Sequence, residues 1–318
     1  MFDICKKLLW TGILVVMAVL LLLPAPVPAA AQTPAQTTFV SPDKAVQSLV
    51  TDVREDNDRG LAAIFGPGSE DLISSGDKVA DRNGRKRFLK AYAEKNFLVR
   101  HDKNLAVLHI GKSDYAFPIP VVLRDGRWIF DTRAGREEIL NRRIGRNELR
   151  TIKVLREYGD AQRDYADRLQ QKGDTAQFAR RLISTKGTHD GLYWPAGKGE
   201  KESPFGPLIA RAGEAGYSDR PIGKGAEPFN GYYFKILTAQ GPHATGGAFN
   251  YLVNGKLILG FGLVAYPARY GSTGVKTFIV NQEGVVYEKD LGEKTIAAAT
   301  MTAYDPDDTW TPCKEPPE

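Results

Sequence analysis

Sulfur, histidine and tryptophan are scarce in this chain of 318 residues, which has two cysteines, three methionines, four tryptophans and four histidines. Cys5 and Cys313 are the only thiols. Cys5 lies within the segment expected to be cleaved, so the remaining chain would carry one cysteine and no intrachain disulfide. A paired Cys/His metal site is excluded by the same count. His101, His109 and His243 are scattered and do not make a metal site, and no metal or cofactor is expected. No nucleophile elbow and no phosphate loop occurs, because "GKGEKESPFG" lacks a Lys-Ser/Thr ending. Stability must come from packing.

The composition that remains is globular, with 42% apolar and 25% charged residues. A formal charge of +5 and a pI near 9.0 favour anionic surfaces only weakly. At the N-terminus, Lys6 and Lys7 precede the apolar run Leu8–Leu23, and Ala29 and Ala31 stand at small-residue positions. This pattern predicts a signal peptide over residues 1–31, cleaved after about Ala31, and hence a periplasmic or secreted protein. The run is 16 residues long, short of the roughly 20 of a membrane-spanning helix, so no span is expected after cleavage.

The chain reads as α+β in two modules. Residues 32–40 read as a disordered leader and 41–144 as an N-terminal domain. Ser41 and Pro42 open a first helix, with Ala45, Val46, Leu49, Val50 and Val53 at helical spacing. A second helix runs through Leu61–Phe65 to "GPG". A third, "RKRFLKAYAEKN", is expected to bury Phe88, Leu89 and Tyr92. "NLAVLHI", "YAFPIPVVL" and "RWIFDT" then alternate as strands, with Asp125-Gly126 as a hairpin turn. This helices-then-meander layout resembles NTF2-like cone folds in pattern. Residues 145–304 repeat the order. A long helix is expected from near Asn147, with Leu149, Ile152, Leu155 and Tyr158 facing a sheet, and Asp174 caps a short helix. A long Gly/Pro loop over 185–206 leads to strands with tight turns at Asn254-Gly255 and Glu283-Gly284. The tail, 305–318, reads as a solvated surface segment.

"SSGDKVADRNGRKRFLKAYAEK", "FPIPVVLRDGRWIFDTRAGREEILNRRIGRNEL", "GYYFKILTAQGP", "LVAYPARYGSTGVKTFIVNQEGVVYEKDLG" and "YDPDDTW" resemble, in order, the bacterial exported family catalogued as domain of unknown function 2950. The resemblance implies a secreted protein of Gram-negative bacteria, with no established activity or cofactor. "NELRTIKVLREYGDAQRDYADRLQQKGDTAQFARRL", with "GYYFKI" and "GVKTFIVNQEGVVY", is similar to type IV pilin-like heads. Because the hydrophobic half of a pilin helix and the prepilin signature are absent, this likeness implies a head fold rather than a polymer.

Candidate sites follow from residue chemistry. His189-Asp190 with Tyr193 and Trp194 offers either a general acid/base pair in a lid or a ligand contact. Arg269 and Tyr270 in "ARYGSTG" offer a bidentate donor and an aromatic face. Glu288 and Asp290 share one strand face, which suits either glycoside hydrolysis or a solvated edge. "DPDD" at 305–308 offers cation oxygens without the rest of a calcium loop. Between Arg142 and Arg156 six basic side chains surround the single acid Glu148. They read as a helix flank at a hinge, pairing with acids such as Glu137 and Glu138, and secondarily as a partner patch. No catalytic residue is assigned. The functional expectation is a non-catalytic binding or structural module of the envelope, with an envelope protein or glycan as partner. The alternative is an envelope hydrolase of glycan or ester substrates, and nucleic acid is an unfavoured partner.

Overall fold

In a computed structural model, residues 36–197, 199–217 and 227–314 are described. The expected signal peptide and residues 32–35 lie outside the described residues. Helix α1 spans Pro42–Arg54; the Ser41 side chain accepts from Lys44 N, and Ala45, Val46, Leu49 and Val50 are buried. Helix α2, Asp58–Phe65, stops where Gly66 takes φ +79°, a left-handed value that glycine adopts freely. After the single turn α3, Glu70–Ile73, comes α4, Lys78–Glu94, capped by Asp77.

The first sheet contains β1 (Asn96–Arg100), β2 (Leu105–Ile110), β3 (Tyr115–Ala116), β4 (Val121–Arg124) and β5 (Arg127–Phe130). Its order is β1-β2-β4-β5 with β3 on β2, antiparallel throughout. Asp125 and Gly126, at φ +50° and +74°, make the expected two-residue hairpin between β4 and β5. Leu49, Ile64, Val121, Trp128 and Phe130 pack between α1, α2 and this sheet.

Helix α5 runs unbroken from Thr132 to Gln171. The expected start near Asn147 is therefore corrected, since Asp131 caps the helix through Ala134 N and Gly145 lies in its interior. Its C-terminal part lays Val154, Leu155, Tyr158 and Tyr165 on a second antiparallel sheet. That sheet is ordered β15-β13-β12-β11-β6, from β6 (Tyr232–Leu237), β11 (Gly262–Pro267), β12 (Lys276–Asn281), β13 (Tyr287–Asp290) and β15 (Thr311–Pro312). Its other face is covered by the 3-10 helix Gly292–Thr300 and by Tyr304 and Trp310. With both faces covered, β11 and β12 are buried almost continuously instead of alternating. The Asn254-Gly255 turn, at φ +49° and +76°, joins β9 (Leu252–Val253) and β10 (Lys256–Leu257), while β7 (Ala239–Gln240) pairs with β8 (Phe249–Asn250) and β14 (Ala303–Tyr304).

Several expectations fail for physical reasons. The leader is docked from Gln36 onward, whose Nε2 donates to Ile64 O and Phe130 O, while Phe39 is buried and pairs with Trp128. No helix follows Asp174, because buried Gln162 takes both the N–H and the C=O of Ala179 and holds the segment extended. The tail is not a solvated appendage: Trp310 is 7% exposed, and β15 joins the sheet. Leu149 is 61% exposed, off the sheet-facing stripe. Phe88, Leu89 and Tyr92 are only half-buried, because α4 lies over a cavity.

Candidate functional site

The structure brings His189, Asp190, Tyr193 and Trp194 together as a packed strap, not as an acid/base pair. The His189 ring stacks on Trp194 at 4.3 Å and 19°, and its carbonyl accepts from Tyr165 Oη at 2.9 Å. Asp190 organises the loop by accepting from Thr185 N at 2.6 Å and from the Thr185 and Thr188 hydroxyls at 2.8 Å. Burial opposes its ionisation, but these donors and Arg181 outweigh it and hold the carboxyl below its ordinary value. Trp194 is buried, and Tyr193 pairs with Ile183 in a short bridge. Phe205 at the loop's end is 1% exposed, and a helix the sequence did not suggest follows it, α6, Gly206–Glu214.

Arg269 reaches across to the N-terminal half, with Nη1 donating to Ser74 O at 3.1 Å, and Tyr270 donates its hydroxyl to Asp290 at 3.3 Å. Glu288 accepts from Cys313 Sγ at 3.3 Å; burial, then Glu288, pushes that thiol up to about 12, which leaves it unreactive near neutrality. In "DPDD", Asp305 accepts from the His243 ring at 3.0 Å, and Asp307 accepts from Thr309. Among the described residues, no group of three or more His, Cys, Asp or Glu side chains is arranged to hold a metal ion. No described helix is long and apolar enough to cross a membrane.

A sizeable concave feature lies elsewhere. A cavity of about 700 Å³ lies beneath α4, bounded by α1, α2, β2, the Tyr115–Ile119 segment and the first half of α5. Its lining is apolar at Leu49, Val53, Phe65, Phe88, Phe117 and Ile139, and basic toward α5. Some of its charges are committed. Arg85 pairs with Asp56 and Asp58, Arg142 pairs with Glu138 and stacks on Tyr115 at 4.9 Å, and Arg143 donates to the carbonyls of Asp71 and Leu72. Asp81 accepts from Ser75 N and Oγ at 2.9 and 2.8 Å.

Three arginines are not committed. Arg87 on α4 and Arg146 on α5 have no hydrogen-bond or ion-pair partner among the described residues, and Arg150 has only a 3.5 Å contact with Asn230 Oδ1. Partial burial, then Arg146 and Arg150, lowers the Arg87 guanidinium from its ordinary value; partial burial, then Arg150, does the same to Arg146. The i, i+4 spacing of Arg146 and Arg150 stacks like charges on one helix face, an arrangement that destabilises a helix unless an anion answers it.

The Arg142–Arg156 run is visible in the sequence as a basic flank, whereas Arg87 does not stand out there as a site residue. The signal that could have found it is "RKRF", three basic residues leading into the apolar face of that helix.

No curated protein and no solved structure matches the chain. Compared with protein families, residues 36–313 match the family described as "Protein of unknown function (DUF2950)". With that match spanning most of its length, the chain belongs to this family of proteins of unknown function.

Proposed function

We propose that the protein binds an anionic amphiphile, taking its apolar body into the cavity under α4 and its acidic head onto Arg87, Arg146 and Arg150. The observation that carries this reading is three guanidiniums without acid partners beside an apolar-lined cavity of about 700 Å³. That volume falls among small-molecule sites, which are mostly apolar with a few convergent polar groups. A binding role is supported over hydrolysis by the lining itself. It contains no His or Cys, and of its two acids Asp81 is occupied by Ser75. The N-terminal pattern of Lys6, Lys7, Leu8–Leu23 and Ala29-x-Ala31 supports export, which would place this site where envelope lipids supply such ligands.

The test is displacement of an anionic apolar fluorophore by a long-chain fatty acid, in the purified chain and in Arg146→Glu and Arg150→Glu. A guanidinium–anion hydrogen bond is worth about 1.5–3 kcal/mol, so each reversal should weaken binding at least about tenfold. Binding indifferent to both reversals, or no binding by the wild type, would refute the reading.

A further inference from the structure

Arg87 and Arg150 line a second cleft as well, one of about 270 Å³ between α4, α5 and α6. Ala80, Arg87 and Arg150 are common to both linings, so the two spaces meet at a shared wall. Lys153, one helical turn beyond Arg150, belongs to the smaller cleft alone and has no ion-pair or hydrogen-bond partner among the described residues. At the same cleft, Arg211 is neutralised by Glu157 at 2.6 Å. Asn83 gives its Nδ2 to Ala215 O at 2.6 Å, and its Oδ1 has no donor among the described residues. The shared wall thus has Arg146 on the large-cavity side, Lys153 on the small-cleft side and two guanidiniums between them.

Four uncompensated cations exceed what one carboxylate answers. A carboxylate brings one charge and two acceptor oxygens. A phosphate monoester brings about −1.5 to −2 and three strong acceptors at neutral pH. Guanidinium forks match phosphate oxygens bidentately, and an ammonium adds a point charge beside them. A head held between Arg87 and Arg150 also needs room for the link to an apolar tail, and those two side chains border both spaces.

We infer that the smaller cleft is a phosphate-head subsite, and that the ligand is a phosphomonoester amphiphile of the lysophosphatidate class lying across both spaces with its phosphate between Arg87 and Arg150. The inference rests on the amphiphile reading above and narrows it from acidic amphiphiles in general to phosphorylated ones.

The experiment is competition against one fluorophore by lysophosphatidate, by the fatty acid of the same chain length and by glycerol phosphate, in the wild-type chain and in Lys153→Ala. The expected result is that lysophosphatidate binds about tenfold or more tightly than the fatty acid. Lys153→Ala should remove most of that preference, weakening lysophosphatidate far more than the fatty acid. Lysophosphatidate affinity should also rise as the phosphate loses its second proton near pH 6, with no such rise for the fatty acid. Equal affinities for the two amphiphiles would overturn the phosphate subsite and leave the amphiphile reading standing. Glycerol phosphate binding as tightly as lysophosphatidate would overturn the spanning pose. Displacement by neither amphiphile would overturn both readings.

Discussion

Asp77 is 2% exposed and caps α4 through Ala80 N, yet it also accepts from Tyr217 Oη at 2.7 Å and Gly231 N at 3.0 Å, joining residues more than a hundred positions apart. Burial is the largest influence on it and raises its pKa above the ordinary 3.8, against the pull of those three donors. The folded chain therefore keeps this proton to higher pH than the unfolded chain does. The stability it contributes is complete below the unfolded value and is lost as pH rises through the folded one. Denaturant titrations at a series of pH values should show wild type losing stability relative to Asp77→Asn as pH increases through that window. A salt-bridged carboxylate would give the opposite slope, and that slope would refute this assignment.

Single positions were also where the sequence was most legible. Asp125-Gly126 and Asn254-Gly255 could be placed from composition because a left-handed turn is a local requirement. Ser41 and Pro42 announced α1 for the same reason. The two glycines of the first half of α5, Gly135 and Gly145, do not interrupt it. A Cβ on Gly135 would come within 2.4 Å of Pro118 O, so that glycine permits a close approach of α5 to the Pro118–Ile119 bend. At Gly145 an added Cβ meets nothing within 4 Å, and the glycine carries no stop signal in the structure.

Among elements, the segment after Gly173 is held out of helix by a side chain. Gln162 Oε1 accepts from Ala179 N at 2.7 Å, and Gln162 Nε2 donates to Ala179 O at 2.9 Å, the two bonds a neighbouring strand would supply. A contact spanning 17 residues cannot be read from a capping Asp and a run of helix formers. Gln162→Leu leaves two buried backbone groups unpaired and should cost about 2–5 kcal/mol. The Ala179 amide should then exchange with solvent much faster than in wild type, whereas unchanged protection there would show that the clamp is dispensable. The candidate cavity was illegible for a related reason. Its arginines come from α4 and α5, and neither basic run reveals by itself that the other faces it.

For the whole molecule, residues from Gln36 onward cluster as one compact unit, while the buried side chains gather around two sheets. Helix α5 serves both, with Ile139 against the first core and Leu155 in the second. The division at residues 144 and 145 is proposed as a division of cores that one continuous helix couples. Calorimetry should then show a single unfolding transition for wild type. Gly145→Pro, which removes a helical hydrogen bond at a cost of about 3 kcal/mol or more, should separate it into two. A single transition retained in that variant would assign the coupling to contacts outside the helix, such as Arg269 with Ser74 and Tyr217 with Asp77.

The unbroken course of α5 also constrains which length changes the chain tolerates. Each residue added to a helix turns everything beyond it by about 100° and advances it by about 1.5 Å. One residue inserted between Arg146 and Val154 would swing the sheet-facing stripe around the helix axis, away from β11 and β12. Seven residues, close to two full turns, would nearly restore the phase but displace the second sheet by about 10 Å. Insertions and deletions in natural variants should therefore fall in the loops, while the stretch from Thr132 to Gln171 keeps its count.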